Sequence, residues 1–205
     1  MTQKLQRGKL IVISGPSGAG KSTVIAELLS ARPDIHFSVS FTTRKPRVGE
    51  ADGVNYNFVS DETFQSMIER DEFLEYAQYV DHYYGTSLKV IEEKLEAGID
   101  VLLDIETKGA ARVREKCPGA VLIFIFPPSF EELSRRLHGR HTDEESVIES
   151  RLKQAREECK GIPNYDYLVV NDTVSAAAAQ IMSILAAEGC RVENCMDLWK
   201  EFDVQ

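Results

Sequence analysis

Short apolar runs alternate with segments of helical periodicity along much of the chain. The first run, KLIVIS at 9–14, is continuous and β-branched, as in strands buried on both faces of a parallel sheet. Apolar residues then recur with helical spacing up to Arg32, and Pro33 ends that pattern. Further buried strands are predicted for IDVLLDI at 99–105, AVLIFIF at 120–126 and YDYLVVND at 165–172. A helix that ends at about Lys116 is predicted after the run at 99–105, and another helix begins at Ser129. Two more helices are predicted, one from Thr142 to about Lys160 and one at 176–187. This alternation predicts an α/β fold with a parallel sheet.

Two capping boxes flank a polar connection near residue 140. Ser129 stands three residues before Glu132, and Thr142 stands three residues before Glu145. Each pair predicts the start of a helix. The connection between the two helices, LHGRHTDEE, is rich in charge, and we expect a short mobile lid at about 136–152.

The amino-acid composition of the chain changes between residues 36 and 86. Threonine, valine and tyrosine are frequent there, and proline and glycine interrupt the apolar runs. This composition predicts an antiparallel β insertion. A short helix from Asp61 to about Arg70 is expected within it, and another helix from Ser87 to Gly98 follows it.

The whole pattern indicates one domain with an insertion. The chain has 205 residues, 43% hydrophobic and 28% charged, which is typical of one ordinary globular core. The expected division is a core at about 1–35, 87–135 and 153–205, an insertion at about 36–86 and a lid at about 136–152.

Charge narrows the classes of partner. The formal net charge of -9 repels nucleic-acid backbones and anionic membranes, so an anionic ligand must be held by a local cationic cluster. The longest apolar run is far shorter than the roughly 20 residues that cross a membrane. The first residues show no cleavable leader pattern, and we expect a cytoplasmic protein that binds neither nucleic acid nor membrane.

Cysteine and histidine spacing does not match a zinc or redox motif. The four cysteines are Cys117, Cys159, Cys190 and Cys195, and the four histidines are His36, His82, His138 and His141. Neither set has the close paired spacing of such sites, and reduced thiols are the simpler interpretation.

The strongest chemical motif is GPSGAGKS at 15–22, which fits the P-loop pattern GxxxxGK[ST] between a predicted strand and a predicted helix. Its glycines let backbone N–H groups turn inward around phosphates at a helix N-terminus. Lys21 would then reach the β- and γ-phosphates, and Ser22 would ligate Mg²⁺. A glycine-rich turn with a solvated lysine is the plainer alternative.

Asp104 ends the apolar run from Val101 to Leu103. Carboxylates at the carboxyl ends of parallel strands face the ligand crevice, so Asp104 is a candidate to support the metal through a bound water. The alternative is an aspartate that caps the following helix.

A cationic segment follows in the insertion. Arg44 and Arg47 stand three apart, close to the hydroxyls of Ser40 and Tyr56, and suit bidentate capture of a second phosphate. Solvated loop charges are the alternative. More arginines bracket the predicted lid and could close over a transferring phosphoryl group: Arg135, Arg136, Arg140 and Arg151.

Several of these motifs occur together in one known family. GPSGAGKST, SVSFTTRKPRVGE, GVNYNFV, FLEYAQY, YYGTS, LLDIE, PPS, RRLHGR and VNDT resemble guanylate kinase in order and spacing, over about residues 8–190. The resemblance implies a P-loop NTPase core, a mixed or antiparallel β insertion that binds GMP and a helical lid. It also implies ATP-dependent phosphorylation of GMP, and of dGMP, with Mg²⁺.

The resemblance assigns roles residue by residue. ATP is expected at Gly15, Pro16, Ser17, Gly18, Ala19, Gly20, Lys21, Ser22 and Thr23, with Asn171 near adenine. GMP is expected at Ser40, Arg44, Arg47, Tyr56, Glu75, Tyr84, Thr86 and Glu106, of which Ser40, Glu75 and Thr86 would read guanine and Arg44, Arg47, Tyr56 and Tyr84 would hold the phosphate. The catalytic set is Lys21, Arg44, Arg136, Arg140, Arg151 and Asp104.

The chemistry of guanine independently favours this base-reading set. Guanine presents N–H donors at N1 and N2 and an acceptor at O6, which a carboxylate and hydroxyl donors complement. Adenine would turn an acceptor towards Glu75. The GMP phosphate is already largely a dianion at pH 7, its second pKa lying near 6, so the reaction needs no strong general base.

Two departures from the family pattern stand near the predicted site. Glu106, Thr107 and Lys108 replace an aspartate, a large apolar residue and a glutamine. Glu106 is one methylene longer than that aspartate, so its contact with the base is expected to differ from the family's. His141 replaces the glycine usual after the lid arginine, so the turn there is expected to close differently.

Two other functions fit parts of the pattern. A non-catalytic guanylate-kinase-like binding module would have a degraded P-loop, whereas Lys21, Ser22, Arg44 and Arg136 are all present here. A P-loop kinase for another acceptor, such as adenylate, thymidylate or a ribose phosphate, would not need the guanine-reading set.

Overall fold

The computed structural model describes residues 7–79, 81–139 and 145–195. The strands in these ranges are β1 Leu10–Ser14, β2 His36–Phe37, β3 Phe41–Thr42, β4 Asn57–Phe58, β5 Phe73–Tyr79, β6 His82–Ser87, β7 Val101–Asp104, β8 Val121–Phe126 and β9 Tyr167–Val170. The helices are α1 Lys21–Ala31, α2 Asp61–Glu69, α3 Leu88–Glu96, α4 Thr107–Lys116, α5 Phe130–His138, α6 Glu145–Cys159 and α7 Val174–Gly189. The helix predicted after Ser87 ends at Glu96, two residues before Gly98.

The core is a parallel sheet in the order β2-β7-β1-β8-β9. Alternate residues of β1 face opposite sides of it. Ile11 and Ile13 pack in one cluster with residues of α1 and α7, and Leu10 and Val12 pack in another with residues of α3 and α4. The prediction of an α/β fold with helices on a parallel sheet is confirmed.

The second sheet has the order β4-β3-β6-β5 and is mixed. β6 runs antiparallel to both β3 and β5, whereas β3 and β4 pair in parallel. Phe64 of α2 packs under this sheet with its ring stacked on Phe73, the centroids 4.4 Å apart. His36–Phe37 lies at the start of the predicted insertion but pairs with β7, so the second sheet begins only at Phe41.

Helix α4 connects the two sheets. Lys116 at its end donates from Nζ to the carbonyl oxygen of Phe73 on β5, at 3.0 Å. The guanidinium carbon of Arg112 lies 5.5 Å from the centre of the Tyr76 ring, also on β5. These contacts hold the second sheet beside the carboxyl end of the core sheet.

The first capping box is only half formed. The hydroxyl of Ser129 accepts from the backbone N–H of Glu132 at 3.1 Å, as predicted. The Glu132 carboxylate instead accepts from the guanidinium groups of Arg135 and Arg136. Thr142, of the second box, lies outside the described residues, and α6 is described from Glu145 onwards.

Within the described ranges, no helix combines the length and apolar character needed to cross a membrane.

Candidate active site

The predicted P-loop connects β1 to α1 at the carboxyl end of the core sheet. Two of its glycines are required by geometry. A Cβ at Gly15, where φ is +151°, would lie 2.1 Å from the Ile125 carbonyl oxygen. A Cβ at Gly20, where φ is +84°, would lie 2.5 Å from Nδ2 of Asn171. The loop therefore follows a path that only glycine allows.

The lysine and the hydroxyls of the motif lie in the first turn of α1. Lys21 donates from Nζ to the carbonyl oxygen of Gly15 at 2.6 Å, which folds its side chain back over the loop. Ser22 and Thr23 are exposed beside it. The positive end of the helix dipole and the ammonium group both favour an anion at this turn.

Arg136 of α5 lies against the P-loop, where its Nη1 donates to the carbonyl oxygen of Ala19 at 3.4 Å. Its Nη2 donates to the carbonyl oxygen of Asn171 at 2.9 Å, and its Nε donates to Oε1 of Glu132 at 2.7 Å. Asn171 is buried and donates from Nδ2 to the carbonyl oxygen of Ala19 at 2.7 Å. Hydrogen bonds from Arg135, the larger effect, and from Arg136 lower the pKa of Glu132 to about 2, so the Glu132 carboxylate that holds Arg136 is ionised at neutral pH.

Asp104 ends β7 in register with Ile13 of β1, the second-last residue of the strand that leads into the P-loop. Burial raises the pKa of Asp104, and the charge of Lys21 opposes that increase. The residue at the N-cap of α4 is Glu106. Asp104 therefore does not cap that helix, and its carboxyl group is left for the crevice.

A cavity of about 260 Å³ opens between the two sheets. It is lined by Ser40, Tyr56, Glu75, Ala77, Tyr84, Gly85, Asp104, Ile105, Glu106 and Gly109. Five residues that the sequence assigned to GMP are among them: Ser40, Tyr56, Glu75, Tyr84 and Glu106. Asp104 lines the cavity, lies at the same edge of the sheet as the P-loop and is close enough to Lys21 for that charge to lower its pKa, so the cavity opens beside the P-loop. The cavity and the adjoining P-loop together form the crevice.

Glu75 is the least exposed acidic residue that lines this cavity. Only 7% of its surface is exposed, and its Oε1 accepts from the hydroxyl of the fully buried Thr86 at 2.6 Å. Desolvation raises the pKa of Glu75, while the Thr86 hydroxyl and the charge of Arg112 lower it. This carboxylate has few protein donors, so a ligand that brings N–H groups would compensate its burial.

Arg44 and Arg47 differ in their surroundings. The guanidinium of Arg44 donates to both carboxylate oxygens of Glu50, each at 2.9 Å, and its carbon lies 5.3 Å from the centre of the Tyr56 ring. The Tyr56 ring in turn meets Tyr84 edge-on at 5.9 Å. Arg47 is exposed, and only its backbone N–H is bonded to Glu50, at 2.7 Å.

Comparison with known proteins agrees with this geometry. The family model described as guanylate kinase matches residues 7–188. The chain belongs to the guanylate kinase family. It is 51% identical to the guanylate kinase of Latilactobacillus sakei over 196 residues, covering 95% of this chain and 97% of that protein.

Other guanylate kinases are similarly close. The chain is 52% identical to that of Clostridioides difficile over 190 residues, covering 93% of both chains. Among solved structures, the guanylate kinase of Anaplasma phagocytophilum superposes with a TM-score of 0.75 at 36% identity, covering 91% of this chain and 88% of that one. The fold and the family are thus supported independently.

The other arginines that bracket the predicted lid are less fully described. Arg151 is half-buried on α6, and Arg135 is exposed and paired with Glu132. Arg140 and His141 lie outside the described residues. The structure therefore brings Lys21, Asp104 and Arg136 to the crevice but does not describe the complete predicted lid.

Sequence reasoning missed two acidic residues of this guanylate kinase site. Glu50 orients Arg44, and Arg44 keeps the pKa of Glu50 below its usual value. Glu132 orients Arg136, although its position had indicated a capping box. In both cases, a carboxylate near arginines in an otherwise motif-rich segment was the available signal.

Proposed function

We propose that this crevice transfers the γ-phosphoryl group of ATP to the phosphate of GMP, giving ADP and GDP. One observation carries the proposal. A P-loop and a cavity with a buried, incompletely paired carboxylate open at the same edge of the core sheet, in a chain of the guanylate kinase family. The same pocket accepts dGMP in this proposal, because none of its base-reading groups depends on the ribose.

Guanine is recognised in the cavity. The Glu75 carboxylate accepts from guanine N1–H and N2–H₂, and the Ser40 hydroxyl donates to O6. The Thr86 hydroxyl gives its proton to Glu75, so towards the base it can only accept. Glu106 lines the same cavity and approaches the base. A base without the N1 and N2 donors would leave Glu75 buried without compensation.

The GMP phosphate is held by Arg44, Arg47, Tyr56 and Tyr84. Tyr56 and Tyr84 line the cavity, and Arg44 lies over the Tyr56 ring, so a phosphate at this end would meet one pre-oriented guanidinium. The exposed Arg47 is free to move onto the same phosphate. Glu50 keeps Arg44 in place before the substrate arrives.

ATP is held on the other side of the crevice. Backbone N–H groups of the P-loop surround its phosphates, Lys21 leaves Gly15 for the β- and γ-phosphates, and Asn171 lies near adenine. Arg136, together with Arg140 and Arg151, neutralises charge on the transferred group. The existing anchor of Arg136 on Glu132 reduces the ordering that transfer requires.

The donors at this edge fit Mg²⁺. Magnesium prefers oxygen ligands and retains several waters, and the exposed Ser22 hydroxyl and the Asp104 carboxyl group are the residues that would hold it, Ser22 directly and Asp104 through a water. When bound, the ion neutralises charge on the ATP phosphates.

The bond changes need no protein base. An oxygen of the GMP phosphate dianion forms a bond to the γ-phosphorus, and the bond between that phosphorus and the ADP oxygen breaks in line with it. The proton count is unchanged because the attacking oxygen is already ionised at pH 7. The protein aligns the two phosphates and stabilises the spreading charge.

Water must be excluded during transfer, and we therefore propose that the insertion at about 36–86 and the lid at about 136–152 close over the core. A reaction that consumes ATP and GMP also fits the cytoplasmic location expected from the sequence.

Product analysis tests this function. The protein is incubated with ATP and GMP, with Mg²⁺ or with excess chelator, and the nucleotides are separated by ion exchange. We expect equimolar ADP and GDP only with Mg²⁺, and dGDP when dGMP replaces GMP. Binding of GMP without any GDP would instead support the non-catalytic binding module.

A further inference from the structure

Helix α4 comes unusually close to the guanine-reading carboxylate. Gly109, in the first turn of α4, is buried and lines the cavity beside Glu75. A Cβ built at Gly109 would lie 2.8 Å from Oε2 of Glu75 and 3.3 Å from its Cδ. The first distance is shorter than real Cβ atoms show, so any side chain at this position requires the carboxylate to move.

No backbone requirement explains this glycine. Its φ is outside the left-handed region, and alanine is a better helix former than glycine. Its close neighbours include the flexible end of Glu75, which can shift, and Ile105 Cδ1 at 3.4 Å, an ordinary contact. A methyl group at Gly109 would therefore be absorbed mainly by the position of the carboxylate.

We infer that Gly109 is a positioning residue for guanine specificity, because the missing side chain on α4 creates the space in which the Glu75 carboxylate meets the base. Thr86 fixes one carboxylate oxygen at 2.6 Å, and α4 limits the position of the other. The inference rests on the proposed function and adds a residue that contacts the carboxylate instead of the nucleotide. It also gives α4 a role in selecting the substrate.

The test compares Gly109→Ala with Gly119→Ala. Gly119 is a matched control because a Cβ there has nothing within 4 Å and its φ is not left-handed. Displacing the carboxylate in Gly109→Ala should raise the KM for GMP by about 10- to 150-fold, equivalent to one lost charge-assisted hydrogen bond. It should also narrow the preference for GMP over IMP. The KM for ATP and the kcat at saturating GMP should stay within about twofold.

A rescue variant separates positioning from a structural defect. Glu75→Asp shortens the side chain by one methylene and so makes room for the added methyl group. The increase in the KM for GMP that Glu75→Asp causes should therefore be smaller in the Gly109→Ala background than in the wild type. Additive effects of the two substitutions would contradict the inference. So would an unchanged KM and GMP-to-IMP ratio in Gly109→Ala.

Two further outcomes remain decisive. If Gly109→Ala does not fold, Glu75→Ala with Gly109→Ala must fold, since the contact is then removed; failure of this double variant would overturn the inference. A wild type that does not prefer GMP to IMP would also overturn the inference, whereas a wild type that forms no GDP from ATP and GMP would refute the proposed function. The wild-type measurement therefore distinguishes the two failures.

Discussion

Replacing Glu75 by Gln should weaken GMP recognition and stabilise the free protein. The amide keeps an oxygen that accepts from Thr86, but it replaces the charged acceptor for guanine by a neutral group. Each lost charge-assisted hydrogen bond costs about 1.5–3 kcal/mol, or roughly 10- to 150-fold in kcat/KM. IMP lacks the 2-amino group and loses less, so the ratio of GMP to IMP should fall while the KM for ATP is unchanged.

Although Glu75→Gln should weaken GMP recognition, it should increase the stability of the free protein at neutral pH. Burial raises the pKa of Glu75 in the folded protein above its ordinary value of 4.5. Folding therefore favours the protonated carboxyl group, and this contribution to the free energy of unfolding is present below about pH 4.5 and is lost as the pH rises through the folded-state pKa. Glutamine carries no charge, so Glu75→Gln should have the higher Tm at pH 7, with the difference shrinking at lower pH.

Steady-state kinetics with GMP and IMP and thermal unfolding from pH 4 to 8 measure both effects on the same two proteins. Unchanged GMP kinetics would mean that Glu75 does not contact the base. A Tm at pH 7 below that of the wild type would mean that the carboxylate is well compensated in the free protein. Either result refutes the account of this cavity.

Other side chains give further expectations. Lys21→Met should leave GMP affinity, measured by titration, nearly intact and should lower kcat, measured by turnover, by more than about 100-fold. The reason is that Lys21 stabilises charge that develops on the donor phosphates. An unchanged kcat would contradict this role. Glu132→Gln weakens the anchor of Arg136 and should lower kcat several-fold with little change in GMP KM; equal effects on both would count against it. Arg44→Lys removes the bidentate pair with Glu50 and should raise GMP KM about tenfold or more in the same assay, and a KM within twofold of wild type would disprove it.

Parts of the fold that depend on local pattern were predictable. The strands of the core are continuous apolar runs because parallel strands are buried on both faces, and GPSGAGKS carries its own conformation through its glycines. The parallel pairing of β3 with β4 was not predicted, because each has only two residues and its partner is chosen by tertiary contacts.

The candidate site shows the same division. Residue types suited to binding guanine and phosphate could be assigned from sequence. Which arginine each acidic residue pairs with could not be predicted. Glu132 matches a capping box, yet its carboxylate binds two arginines, because a guanidinium adds the attraction of a full positive charge that a backbone N–H lacks. The closeness of Gly109 to Glu75 joins residues 34 positions apart and is visible only in the fold.

The central claim is that this crevice selects guanine and phosphorylates its monophosphate. The most direct measurement is kcat/KM for GMP and for AMP on the wild-type protein, with saturating ATP and Mg²⁺. AMP lacks both donors for Glu75 and presents an acceptor in their place, so we expect its kcat/KM to be lower by a factor of about 10³ or more. Phosphorylation of AMP within tenfold of GMP would contradict the claim.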